Sequence, residues 1–131
     1  MSSHPCVLLA EDDPDLREFV ASRLTTIGYR VVPVSNGLEA MQYLSDTMHD
    51  VSPEPAPDLL ITDIRMPQAD GIDVLAYTRM WTVPTIIVTA FGTPETFEEA
   101  RSLGAVACFS KPFDIEALCQ TVREHAPRTP S

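Results

Sequence analysis

The chain is poor in cysteine and in basic residues, and it has no glycine-rich loop. Its three cysteines, Cys6, Cys108 and Cys119, stand far apart and form no Cys-x-x-Cys pair. That argues against a disulfide framework or a zinc site and fits a reducing cytoplasm. Nine Lys and Arg against nineteen Asp and Glu leave a formal net charge of -10. Such a surface repels nucleic acid and anionic membrane, so direct binding of either by this chain is not expected. No apolar run approaches the ~20 residues needed to span a bilayer. The opening Met1-Ser2-Ser3-His4-Pro5 lacks the basic start of a secretory signal. Nor do the three histidines, His4, His49 and His125, fall where a Ser-His-Asp or Cys-His arrangement could be assembled. No catalytic role is assigned to them.

What is present is a core and a rhythm. The chain has 131 residues, 44% of them hydrophobic, which suits one domain over 1–125 followed by a tail or linker start at 126–131. Cys6 to Ala10 reads as a buried strand. Asp13 then caps, and Pro14 opens, a helix whose apolar stripe is Leu16, Phe19, Val20, Leu24 and Ile27, closed by Gly28. Tyr29 to Val34 is a second strand, placed at an edge by Pro33. Asn36 and Glu39 resemble a capping box ahead of the stripe Leu38, Met41, Leu44 and Met48. Residues 49–57 form a proline-rich connection expected to run extended. Leu59 to Ile61 is a central strand ending at Asp63, and Asp70 can cap a helix carrying Ile72, Leu75 and Met80. Trp81 is expected to pack at a helix end. Pro84 to Ala90 is a fourth strand, and Thr93-Pro94-Glu95 starts a helix that ends at Gly104. Ala105 to Phe109 is a fifth strand, and Asp114 caps a last helix with Ile115, Leu118, Cys119 and Val122 on one face. Strands alternating with helices imply a parallel sheet covered on both faces. Right-handed crossovers bring the strand carboxyl ends to one edge.

That edge receives Glu11 and Asp12 from the first strand, Asp63 from the third, Thr89 from the fourth and Lys111 from the fifth. Two unit charges ~4 Å apart interact by about 4 kcal/mol at an effective dielectric of 20, so three carboxylates need a counter-charge. Mg²⁺ prefers oxygen ligands and suits such a cluster, and Lys111 can neutralise a further carboxylate. The acidic first loop would repel a phosphate, which disfavours FMN and P-loop chemistry. A carboxylate, a divalent ion, a hydroxyl and an ammonium are the parts for phosphoryl transfer onto a carboxylate.

Four motifs in order carry a resemblance to the receiver domain of two-component response regulators. They are Leu8-Leu9-Ala10-Glu11-Asp12-Asp13, Ile61-Thr62-Asp63-Ile64-Arg65-Met66-Pro67 with Asp70-Gly71, Val88-Thr89-Ala90, and Lys111-Pro112-Phe113. The resemblance covers roughly residues 5 to 125. It implies a flavodoxin-like α/β fold: a doubly wound five-stranded parallel sheet, order 2-1-3-4-5, with five helices. By the same resemblance Asp63 is the phosphoacceptor, modified to 4-aspartylphosphate, and Thr89 and Lys111 are its hydroxyl and lysine partners. Glu11, Asp12, Asp63 and the Arg65 backbone carbonyl would hold Mg²⁺, Asp12 directly and Glu11 mainly through water. The Lys111-Pro112 peptide would be cis. The donor would be a phosphohistidine on a sensor histidine kinase or phosphotransfer protein. The output would be a downstream effector protein or output domain. The resemblance thus implies a cytoplasmic signalling domain and not an enzyme, and it leaves dimerisation through the last two helices open.

Two positions depart from the family pattern. Cys108 stands where an aromatic switch residue is common, with Phe109 facing the other side of the strand. Glu11 replaces the commoner Asp. Arg65 and Phe91 are expected to flank the mouth of the site, either as mere surface variation or as a screen of the phosphoryl group from in-line water. A phosphorylation-independent interaction module on the same fold is the alternative, favoured only by Cys108. A true aspartyl phosphatase would need a second acid two residues after Asp63, where Arg65 stands.

Overall fold

The computed structural model describes residues 4–64, 71–90 and 92–127, with the backbone alone described at 71 and 72. Among these, five strands alternate with five helices: β1 (Cys6–Ala10), α1 (Pro14–Thr26), β2 (Arg30–Val34), α2 (Gly37–Met48), β3 (Leu59–Thr62), α3 (Gly71–Thr78), β4 (Thr85–Thr89), α4 (Pro94–Ser102), β5 (Ala105–Ser110) and α5 (Ile115–His125). A 3-10 turn at Arg79–Trp81 follows α3. The sheet order is β2-β1-β3-β4-β5 and every neighbouring pair is parallel, as the alternation demands. No helix of the described residues is long and apolar enough to cross a membrane.

The three central strands are buried along their whole length. Their side chains alternate between the two helical layers, as a period of two requires. Val7, Leu9, Ile61 and Val88 pack with Val20 and Leu24 of α1 and Leu118 and Val122 of α5. Leu8, Ala10 and Leu60 pack with Ala40 and Leu44 of α2 and Val74 of α3. Ile87 joins Ile64, Leu75 and Ala100 in a smaller cluster under α4. Each fully buried aliphatic side chain is worth about 1.5–3 kcal/mol over leaving it in water, so these layers dominate the stability.

Helix starts are fixed by side chains at the strand carboxyl ends. Asp13 Oδ1 accepts from the amides of Asp15 (3.0 Å) and Leu16 (3.4 Å). Asn36 Oδ1 accepts from the Glu39 amide at 2.8 Å, while Glu39 Oε1 accepts from the Ser35 amide at 2.7 Å, one residue earlier than in a simple capping box. Thr93 and Asp114 cap α4 and α5 in the same way. Gly28 and Gly104, just past α1 and α4, both have φ 103°, where a side chain would be strained.

Three stripe assignments need correction. Phe19 and Leu38 are each 52% exposed, and Met80 is 71% exposed. Val20 and Leu24 already fill the buried face of α1, which leaves Phe19 outside it. Leu38 lies one residue off the buried face of α2, made by Gly37, Ala40, Leu44 and Thr47. Met80 falls in the tight turn after α3, where the helical period no longer applies. β5 runs one residue further than expected, to Ser110. Trp81 does pack at a helix end, with its ring edge-on to His49 at 5.0 Å. The proline-rich connection is tied back at several points: Tyr43 donates to the Pro55 carbonyl at 2.7 Å and Arg30 pairs with Glu54 at 3.0 Å. Ala126, placed in the tail by pattern, is 5% exposed, and its carbonyl accepts from the Tyr29 hydroxyl at 2.7 Å.

Candidate functional site

The carboxyl ends of the strands are knit together by backbone bonds at the point where polar residues replace apolar ones. The Glu11 amide donates to the Val34 carbonyl at 3.1 Å, the Asp63 amide to Ala10 at 3.2 Å, and the Lys111 amide to Thr89 at 2.9 Å. Each bond continues a ladder one step beyond its strand. Glu11, Asp63, Thr89 and Lys111 therefore sit on rigid elements, although they lie as far as 100 residues apart in sequence.

The Lys111 ammonium bridges two of the acids. It donates to Asp63 Oδ2 at 2.5 Å and to Glu11 Oε1 at 2.8 Å. Glu11 is 2% exposed and Asp63 4%. Burial pushes the Glu11 carboxyl above its ordinary range, opposed by the hydrogen bonds from Lys111 and from the Asp13 amide. Burial alone would lower the Lys111 ammonium. The hydrogen bonds to Asp63 and Glu11, with their charges, outweigh it and hold the lysine above its usual value. A lysine that stays charged beside two buried acids can neutralise one of them at most.

Asp12 completes the cluster from the exposed side of the β1–α1 turn. One carboxylate oxygen from each of Glu11, Asp12 and Asp63 lies within 4.8 Å of the others. Three hard oxygen donors with uncompensated charge fit Mg²⁺ or Ca²⁺ far better than a thiophilic metal. Thr89 ends β4 with no exposure and pairs in register with Ser110, next to Lys111. The Lys111-Pro112 peptide is cis, as the resemblance implied. Phe19, Leu16, Pro112 and Phe113 line a shallow groove that opens beside Lys111.

Of the five residues singled out at this edge, Glu11, Asp12, Asp63 and Lys111 bring their side chains together, and Thr89 lies at the same edge at the end of β4. Arg65 and Phe91, and with them the expected Arg65 carbonyl ligand, lie outside the described residues, as do Met66, Pro67 and Asp70. Cys108 is half-buried and packs with the cluster under α4. Phe109 turns to the opposite face, its ring centroid 6.3 Å from that of Phe113. Asp13 acts as a helix cap. One contributor was missed: Arg17, whose Nη1 donates to the Glu11 carbonyl at 2.7 Å. A cation in the first turn of a helix opposes the dipole, and that misfit was the available signal that it has a partner.

Comparison with known proteins agrees with this geometry. The family model described as the response regulator receiver domain matches residues 7–123. Sporulation initiation phosphotransferase F of Bacillus subtilis is 29% identical over 92% of this chain and 93% of its own length. Transcriptional regulatory protein PdtaR of Mycobacterium tuberculosis is 36% identical over 88% of this chain. The chain spans only 54% of PdtaR and 26% of the transcriptional regulatory protein GlrR of Escherichia coli. Among solved structures, the receiver domain of the Francisella response regulator 1452 superposes with a TM-score of 0.81 at 27% identity, covering 92% of this chain and 95% of that one.

Proposed function

Because the chain belongs to the response regulator receiver family, we propose that Asp63 is the phosphoacceptor of a two-component relay, carried by a receiver domain over residues 1–125. The observation that carries this is the Asp63 carboxylate itself: buried, at the end of a central strand, 2.5 Å from an ammonium and within a three-acid cluster. The donor would be a phosphohistidine on a sensor kinase or phosphotransfer protein. An Asp63 oxygen attacks phosphorus, a P–O bond forms, and the P–N bond breaks. Its electron pair stays on the imidazole nitrogen, which takes up a proton.

Each neighbouring residue has a share. Lys111 holds Asp63 in place and offsets charge on the transferring oxygens. Thr89 donates its hydroxyl to the phosphoryl group once it has arrived. Glu11, Asp12 and Asp63 would hold Mg²⁺, with the Arg65 carbonyl proposed as a further ligand. When bound, that ion supplies positive charge that offsets repulsion between the acids and the incoming phosphoryl group. Adding about -2 charge at Asp63 draws Thr89 inward and alters the face made by α4, β5 and α5, which a downstream effector or output domain reads. This is switching rather than turnover of a substrate.

Exposure to acetyl phosphate with Mg²⁺, followed by intact-protein mass spectrometry, tests the proposal. A gain of one phosphoryl group that Asp63→Asn abolishes is expected. An unmodified wild-type chain, or an equal gain in the variant, overturns it.

A further inference from the structure

Position 108 carries no aromatic ring, whereas α4 carries one at Phe97. Cys108 packs among small and aliphatic neighbours, Ala100, Leu103 and Ile87, beneath α4. On α4 itself Phe97 is half-buried and its ring reaches back over Gly92. A methyl group on Gly92 would overlap Phe97 Cζ, and would lie 2.6 Å from Cε1 and 3.0 Å from Cε2. A side chain at 92 would push the ring aside, so the ring lies directly on the main chain because Gly92 has none. Thr93 caps the helix, with its Oγ1 accepting from the Thr96 amide at 3.1 Å and its carbonyl accepting from the Phe97 amide at 3.0 Å. Counted from that cap, Gly92 precedes it and Phe97 is the fourth helical residue. These are the two positions that a hydrophobic staple pairs, but here the Phe97 ring packs on the bare main chain of Gly92 and not on a side chain.

Gly92 is also three residues beyond Thr89. We propose that Phe97 is a positioning residue that couples Thr89 to α4. Seated on Gly92, it makes Gly92 and the first turn of α4 move as one body. The inference rests on the phosphoacceptor reading of Asp63, since it concerns how that site reports its state. Without the ring, Thr89 can still move, but Gly92 absorbs the movement before it reaches the helix. Coupling passes through a packed contact only if that contact keeps its shape.

The test is amide hydrogen exchange across residues 94–102 of the full chain, with and without acetyl phosphate and Mg²⁺. It is run on the wild type, Phe97→Ala, Gly92→Ala and the double variant, with phosphoryl gain measured by mass in each. In the wild type, phosphorylation should change exchange in α4 by about fivefold or more. In Phe97→Ala and in Gly92→Ala the mass gain should persist while the change falls below about twofold, and the double variant should be no worse than Phe97→Ala alone. The last point separates a seated ring from two unrelated weakenings. If the wild type takes no phosphoryl group, the reading of Asp63 fails and takes the coupling with it. If it does, and Phe97→Ala keeps the full α4 response or no longer takes the group, the coupling alone is overturned.

Discussion

Lys111 holds Asp63 at 2.5 Å while its other hydrogen bond, at 2.8 Å, goes to Glu11 rather than to the exposed Asp12. The lysine thus pairs with the two nearly buried acids, and leaves the third acid facing solvent. The arrangement separates two tasks that a cluster of like charges must perform: keeping buried carboxylates tolerable, and keeping one edge open to an incoming cation.

Replacing Lys111 should expose the first task. Lys111→Ala leaves Glu11 and Asp63 buried without their ammonium, and a hydrogen bond to a charged group is worth about 1.5–3 kcal/mol. In magnesium-free buffer the urea midpoint should fall accordingly, and Mg²⁺ should recover part of the loss by supplying another positive charge. Phosphoryl uptake from acetyl phosphate should drop by about 10²-fold. A variant as stable as the wild type in EDTA would remove Lys111 from this role.

Asp12 should show the second task. Its carboxylate lies within 4.8 Å of those of Glu11 and Asp63, so Asp12→Asn should raise the melting temperature in EDTA by relieving their repulsion. Wild-type protein at a Mg²⁺ concentration a hundredfold above its dissociation constant should gain about 2.7 kcal/mol from linkage alone. Most of that gain should vanish in Asp12→Asn, and EDTA should return the wild type to its starting point. Equal magnesium-dependent shifts in both proteins would show that the ion does not use this carboxylate.

The gathering of Glu11, Asp12, Asp63, Thr89 and Lys111 was legible because it follows from chain-level rules, whereas the strand order was legible only through the resemblance to the receiver family. Apolar runs of four or five residues ended by polar ones locate strand ends, and crossover handedness brings those ends together. Which carboxylate Lys111 selects was not legible, because it depends on how far β1 carries Glu11 beneath the surface. Phe19 and Leu38 misled for a related reason. Helical spacing marks a stripe, but neighbouring side chains decide how much of it is covered. The Phe97 ring over Gly92 could not be read at all, since a glycine required for space looks the same in sequence as one required for a turn.

Alkaline pH should weaken the fold through the far end of β1. Burial pushes the Cys6 thiol from 9.0 to about 11, with Asp58 adding to the rise. Burial likewise pushes Tyr43 from 10.0 to about 12. Both folded groups keep their protons where the unfolded chain has begun to lose them. The unfolded state then binds fewer protons, and stability falls as pH rises from 9 toward 11 and beyond. Cys6→Ala should lower stability at neutral pH through lost packing, but give a shallower decline over that window. Urea midpoints measured at closely spaced pH values decide it, and parallel declines in the two proteins would assign the effect elsewhere.

Asp58 should stabilise the pairing of β3 with β1 without alone setting the register that places Asp63. Its amide donates to the Cys6 carbonyl at 2.8 Å, and its Oδ2 accepts from the Cys6 amide at 2.8 Å. This reciprocal pair locks the start of β3 against β1, one step before Val7 pairs with Leu59. A slip of one residue would turn every β3 side chain to the opposite face and carry Asp63 out of alignment with Glu11 and Lys111. Asp58→Ala removes the side-chain acceptor and leaves the Cys6 amide unpaired, at a cost of about 1–3 kcal/mol. Asp58→Asn keeps an oxygen in place and should cost less. Both variants should still take a phosphoryl group, because the rest of the β1–β3 ladder keeps the register. Loss of uptake in Asp58→Ala at full folding would mean that this one clamp sets the register, and an unchanged urea midpoint would mean that it contributes nothing.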